Sequence, residues 1–209
     1  MSSSVWPVVH AERRALVDDL VGLIDREWET PSLCAGWAVR DVVAHLAATA
    51  GLSRTGFVRE FVGAGFSVER IVERQLTQAR KHDASASLTA LRSAVDCVAS
   101  LPLPLITRVI EIVVHGEDIR RPLGIDHAYP TTSIAEAVCY LLGNRSSGGK
   151  ERLKGLTLAA TDVEFSIGDG PLVEGPALAL LLAASGRSAR LGELSGPGAS
   201  QLVNRIRQA

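Results

Sequence analysis

Apolar residues recur at helical spacing through the first two-thirds of the chain. In VVHAERRALVDDLVGLIDREW, Val8, Leu16, Leu20, Leu23 and Ile24 share one face, which predicts an amphipathic helix closed by Pro31 and the loop SLCAG. A second helix is predicted from about Val39 to Phe57, and a third helical region over roughly residues 58–80, interrupted at GAG. The segment SASLTALRSAVDCVAS opens with serines suited to capping and runs to Ser100. Pro102 and Pro104 then introduce a helix that stops near Pro122, Leu123 and Gly124. Long helices joined by short loops predict an antiparallel bundle.

Beyond TTSIAEAVCYLLGNR, itself read as a helix, the pattern changes. SSGGKERLKG reads as a linker or exposed turn, and LTLAAT and VEFSI as short strands, with GDGP turning the chain into LVEG as a hairpin. Pro176 and Gly186 bracket a helix over ALALLLAAS, and GASQLVNRIRQ forms the last one. The expected organisation is a helical domain over 1–130 and a small α+β domain over 131–209, the latter short of core on its own and expected to dock on the bundle.

Composition narrows the function classes. Charged residues make up 22% of the 209 positions and the net charge is −1, so the chain lacks the concentrated basic face that nucleic acid requires. It also lacks a long-range field for an anionic membrane surface. Cys34, Cys97 and Cys139 are scattered and form no CxxC pair, which argues against a disulfide framework or a zinc ribbon. The N-terminus reaches charged residues too early for a signal peptide, and the longest apolar run, around PALALLLAAS, suits a buried helix better than a membrane span. A soluble cytoplasmic protein is expected.

Within RVIEIVVHGED, Glu111 and His115 are four apart and therefore share a helix face. Asp118 continues that line by three and Arg108 precedes it by three, while Ile110, Ile112, Val113 and Val114 occupy the other faces. Such a stripe faces water, a partner or a bound ion. His45 sits among Val42, Val43, Leu46 and Ala47; alone it reads as a core histidine, with Asp41 one turn earlier as a partner able to fix its tautomer. Taken together, two histidines and a glutamate are a ligand set for catalytic zinc, or for another divalent metal of similar preference. Facing bundle helices can supply them, and the cation would neutralise a carboxylate held among isoleucines and valines.

GWAVRDVVAHLA, EIVVHGEDIRRPLG and GDGPLVEGPALALLLAASGRSARLGEL together resemble the mycothiol-dependent maleylpyruvate isomerase family, part of the DinB-like metal-binding superfamily. The resemblance spans most of the chain. It implies a mainly α protein, a DinB-like antiparallel four-helix bundle followed by a small sterol-carrier-protein-like α+β domain. It implies a divalent metal, commonly Zn2+, on His45, Glu111 and His115, with Asp41 and Asp118 supporting the ligands. It implies mycothiol as co-substrate, its thiolate adding to a small electrophile that is then isomerised or kept as a transfer product. The substrate's carboxylate would meet an arginine: Arg187 first, then Arg190, with Arg120 and Arg121 as further candidates. Cys34 is assigned no role. The expected partners are therefore a small thiol and a small electrophile, with no nucleic acid or membrane, and a homodimer is compatible with them. Two positions depart from the family pattern, Ala38 where Thr or Ser is usual and Glu117 where an aromatic is usual, and both bear on the mouth of the site. A non-catalytic metal or ligand module, and a hydrolase with a metal-bound water, remain the alternative functions.

Overall fold

The first helix, α1 (Trp6–Leu20), begins with a proline in its opening turn and buries Val9, Leu16, Val17 and Leu20. It stops earlier than its apolar pattern suggests. Val21 and Ile24 are exposed, because Ile24 is the N-cap of the separate one-turn helix α2 (Asp25–Trp28). The structure, a computed structural model, describes residues 5–144 and 148–208.

Five more helices complete the first unit, Met1–His127: α3 (Val39–Ala50), α4 (Arg54–Gly63), α5 (Val68–Ala79), α6 (Ala84–Ser93) and α7 (Ile106–Arg120). The single helix expected over Val39–Phe57 is two, because Gly51 closes α3 and the Ser53 hydroxyl accepts from the Gly56 amide at 3.1 Å to open α4. The break at GAG is present, with Gly65 and Phe66 at φ of 65° and 62°. Asp83, rather than a serine, caps α6. That helix ends at Ser93, where buried Arg13 donates to the carbonyls of Ala94 at 3.2 Å and Cys97 at 2.9 Å. A guanidinium on the last carbonyls satisfies acceptors that would otherwise be orphaned.

Four of these helices close a ring. α1 packs on α6 and α7, and α3 packs on the same two, while α5 lies on α3 and α4 on α5. Leu16, Leu20, Val39, Val42, Val43, Leu91, Val113 and Ile119 are fully buried in the ring's core. Each such side chain contributes about 1.5–3 kcal/mol of burial. This is the four-helix bundle the pattern predicted, and it sets His45 on α3 beside His115 on α7.

The second unit, Ala128–Ala209, contains α8 (Thr131–Gly143), α9 (Gly149–Leu153), β1 (Thr157–Ala160), β2 (Ser166–Ile167), β3 (Leu172–Gly175), α10 (Ala177–Ala184) and α11 (Ala199–Arg207). Of the expected linker, Ser146 and Ser147 lie outside the described residues, and from Gly149 the segment is helical. The sheet order is β2-β1-β3. β3 does not form a hairpin with β2, as its turn residues suggested; it runs parallel to β1, Leu158 opposite Val173, while β2 pairs antiparallel with β1. The reason lies in Gly168 and Gly170, where an added Cβ would strike the Leu156 and Gly155 carbonyls. Only glycine lets the chain cross that closely beside the start of β1. α10 is buried along its whole length, against α8, α9 and the sheet. Among the described residues, no helix is long and apolar enough to cross a membrane.

Candidate functional site

The loop between α2 and α3 is closed by its own hydrogen bonds. The Ser32 hydroxyl donates to the Trp37 carbonyl at 2.9 Å and accepts from the Cys34 amide at 3.1 Å. The Trp37 amide returns to the Cys34 carbonyl at 3.0 Å, with Gly36 at φ 77° making the turn. The Leu33 amide donates to the Asp118 carbonyl at 3.1 Å, fastening the loop to α7. Two side chains of this loop, Cys34 and Trp37, are thereby held against the ends of α7 and α3.

Trp37 lies edge-on to His45 with ring centroids 5.5 Å apart, and His45 lies edge-on to His115 at 5.1 Å with an interplanar angle of 80°. The His45 Nδ1 is buried with no hydrogen-bond partner. Burial, reinforced by His115 and Arg108 nearby, lowers its pKa from 6.5 to about 3. His45 is therefore neutral at physiological pH, the state a metal requires of an imidazole. The His115 Nδ1 lies 3.0 Å from Oδ2 of the fully buried Asp118. The Cys34 thiol donates to the same oxygen at 3.0 Å and is 3.7 Å from the His115 Nδ1. Among the described residues, Cys34, His115 and Asp118 form the cluster whose donor atoms all lie within 4.8 Å of one another.

Glu111 is not in that cluster. Its carboxylate meets Arg108 at 3.1 Å, an ion pair one turn apart on α7 in which Arg108 is 3% and Glu111 15% exposed. The stripe on α7 thus divides into two pairs, Arg108 with Glu111 and His115 with Asp118.

Asp41 does not orient His45. The side chain accepts from both Nε and Nη2 of Arg80, at 2.8 and 2.7 Å, and from the Ala38 amide at 3.0 Å. Half of a capping box therefore survives at Ala38 despite the absence of a hydroxyl there. Burial works to raise the Asp41 pKa, but the hydrogen bonds from Arg80 and the Ala38 amide, with the charges of Arg80 and Arg40, together outweigh it and the net shift is downward. Arg120 does not face a cleft either. It is fully buried and its Nε donates to Asp19 at 2.7 Å. In the second unit Arg187 donates to the Ser185 carbonyl at 3.5 Å, and Arg190 pairs with Glu193 at 3.0 Å.

A pocket of about 660 Å³ opens over the two imidazoles, lined by Trp37, His45, Val72, Leu76, Arg80 and His115 among others. Arg80, which lines the pocket, was not a sequence candidate, and Cys34, which joins the His115 cluster, was considered there and assigned no role. Arg80 lies at the far end of α5, where nothing in the local pattern ties it to α3. Cys34 had a usable signal: it sits in the loop directly preceding the GWAVRD motif.

A four-helix bundle with paired imidazoles on adjacent helices, followed by a small α+β unit, defines a mainly helical two-unit protein. Residues 9–101 match the family model for the mycothiol maleylpyruvate isomerase N-terminal domain. The crystal structure of the mycothiol-dependent maleylpyruvate isomerase is similar with a TM-score of 0.67 and 15% identity, over 93% of this chain and 92% of that one. A histidine-to-alanine mutant of that enzyme matches at 0.66 and 14% over the same shares. At that identity the likeness concerns the fold. No curated protein matches the sequence.

Proposed function

We propose that the protein is a divalent-metal-dependent enzyme that uses a low-molecular-weight thiol, mycothiol being the first candidate, to isomerise a small electrophile or transfer sulfur to it. The observation that carries this reading is the edge-on His45–His115 pair at the floor of the pocket, with a buried His45 Nδ1 that has no protein partner. An orphaned buried nitrogen is costly unless something meets it, and a cation would. The donor set fits zinc or a related borderline cation, with His45 and His115 supplying nitrogen and Glu111 an oxygen once its carboxylate turns from Arg108. When bound, such an ion lowers the pKa of a coordinated thiol or water.

The chain's own residues do the remaining work. Burial keeps His45 neutral and ready to ligate. Asp118, by holding a proton on the His115 Nδ1, leaves the opposite ring nitrogen as the lone-pair donor. Trp37, Val72 and Leu76 give the pocket apolar walls that thin the water around a reacting thiol. Arg80 is half-exposed at the wall, and it replaces Arg120 as the bundle's candidate for the substrate's carboxylate. Arg187 and Arg190 keep that role as proposals from the second unit.

Zinc titrated calorimetrically into chelator-treated protein tests the metal part. Binding is expected, weakened at least about 10-fold in His45→Ala and in Glu111→Ala. Failure of the wild type to take up any divalent cation would remove the reading.

A further inference from the structure

We propose that the opposite edge of His115 carries a second cation site, made by Cys34 Sγ, His115 Nδ1 and Asp118 Oδ2, for a zinc-like ion that accepts a thiolate. The three contacts measure 3.0 Å from sulfur to oxygen, 3.0 Å from nitrogen to oxygen and 3.7 Å from sulfur to nitrogen. A tetrahedral zinc with ordinary bond lengths gives ligand–ligand edges of roughly 3.3–3.6 Å, so each observed edge lies within about 0.6 Å of one face of that tetrahedron. Sulfur, imidazole nitrogen and carboxylate oxygen are all donors that this class of cation takes. Cys34 and His115 would give up the protons they direct at Asp118 as the ion arrives, and Asp118, the acceptor of both, would ligate as the carboxylate it already is.

The setting is that of a built site. Asp118 is fully buried, unlike the exposed acidic groups that cluster on surfaces without a ligand. Cys34 comes from the loop whose hydrogen bonds are closed within itself and onto the α7 backbone, so the thiol reaches α7 without further ordering of the chain. His45 is not part of this set; its ring meets that of His115 edge-on, with centroids 5.1 Å apart. The inference deepens the reading above, with which it shares His115: one imidazole would stand between two donor sets, His45 and Glu111 on one side, Cys34 and Asp118 on the other. A protein thiolate would then sit one residue from the centre at which an external thiol is proposed to react.

Cobalt, which shares zinc's ligand preferences, makes the thiolate visible. Titrated into the full metal-free chain, it is expected to give a near-ultraviolet sulfur-to-cobalt absorption band. The band should vanish in Cys34→Ser and persist in the Cys97→Ser, Cys139→Ser double variant. Glu111→Gln should keep it, since the Nδ1 side does not use that carboxylate. In the unmutated protein, cobalt or zinc should also protect Cys34 from alkylation, read by peptide mapping, which needs no variant to fold. No band at saturating cobalt, a band that survives Cys34→Ser, loss of the band in Glu111→Gln, or unprotected Cys34 would each overturn the proposal. Visible cobalt absorption without the near-ultraviolet band defeats this site and leaves the His45 reading standing. A Cys34-dependent band in a protein that binds no small thiol defeats that reading and leaves this site standing.

Discussion

Glu111 poses the residue-scale question most sharply: what compensates a carboxylate on a helix otherwise lined with isoleucine and valine. The structure gives an answer that needs no metal, since Arg108 pairs with it at 3.1 Å from one turn away. The spacing of Arg108, Glu111, His115 and Asp118 was legible in the sequence, but the pairing was not. A glutamate with one candidate partner three residues before it and another four residues after it has two near-equal neighbours on a helix, and its rotamer chooses between them. Removing one member of a buried pair leaves an uncompensated charge, which costs about 3–5 kcal/mol. Arg108→Met is therefore expected to lower the melting temperature by roughly 10 °C, at about 2–4 °C per kcal/mol for a chain of this size. Zinc should recover more of that loss than it adds to the wild type, because it offers Glu111 a second partner. Thermal melts with and without zinc check this; an unchanged melting temperature would mean that the pair contributes nothing.

At the scale of elements, helix identity was readable and helix ends were not. The apolar stripe of α3 continues in register toward Phe57, so periodicity alone could not find the break that Gly51 and the Ser53 cap impose. The strand residues of the second unit were equally legible, whereas their pairing depended on where Gly168 and Gly170 let the backbone cross, a tertiary fact with no periodic signature. The link between α3 and α5 was also invisible, because Asp41 and Arg80 are 39 residues apart. That link has a pH consequence. The folded Asp41 titrates below its ordinary value of 3.8, so its contribution is fully present above that value and is lost as pH falls through the lower folded one. In Arg80→Ala the largest of the interactions that hold the pKa down is gone, while burial and the Ala38 amide hydrogen bond remain, so the folded pKa rises. Acid unfolding followed by circular dichroism should then begin at a higher pH than in the wild type. An acid limb identical to that of the wild type would show that Arg80 does not sustain Asp41.

At the scale of the whole molecule, the bundle followed by a small α+β unit was legible because it rests on summed periodicity and on the change of pattern beyond residue 145, both of which survive errors at single boundaries. The site was legible in part. His45 and His115 come together because α3 and α7 are adjacent in the ring of helices, as the motif pair suggested. Cys34 was set aside because a cysteine's surroundings, not its position in the sequence, decide whether it packs or ligates. The proposed metal-dependent enzyme that employs a small thiol is tested most directly by calorimetric titration of the zinc-loaded protein with mycothiol, glutathione, bacillithiol and cysteine in turn. Mycothiol is expected to bind the zinc-loaded chain at least about 10-fold more tightly than the metal-free chain or His45→Ala, a difference of about 1.4 kcal/mol or more. Binding of none of the four thiols, or equal binding with and without the metal, would contradict it.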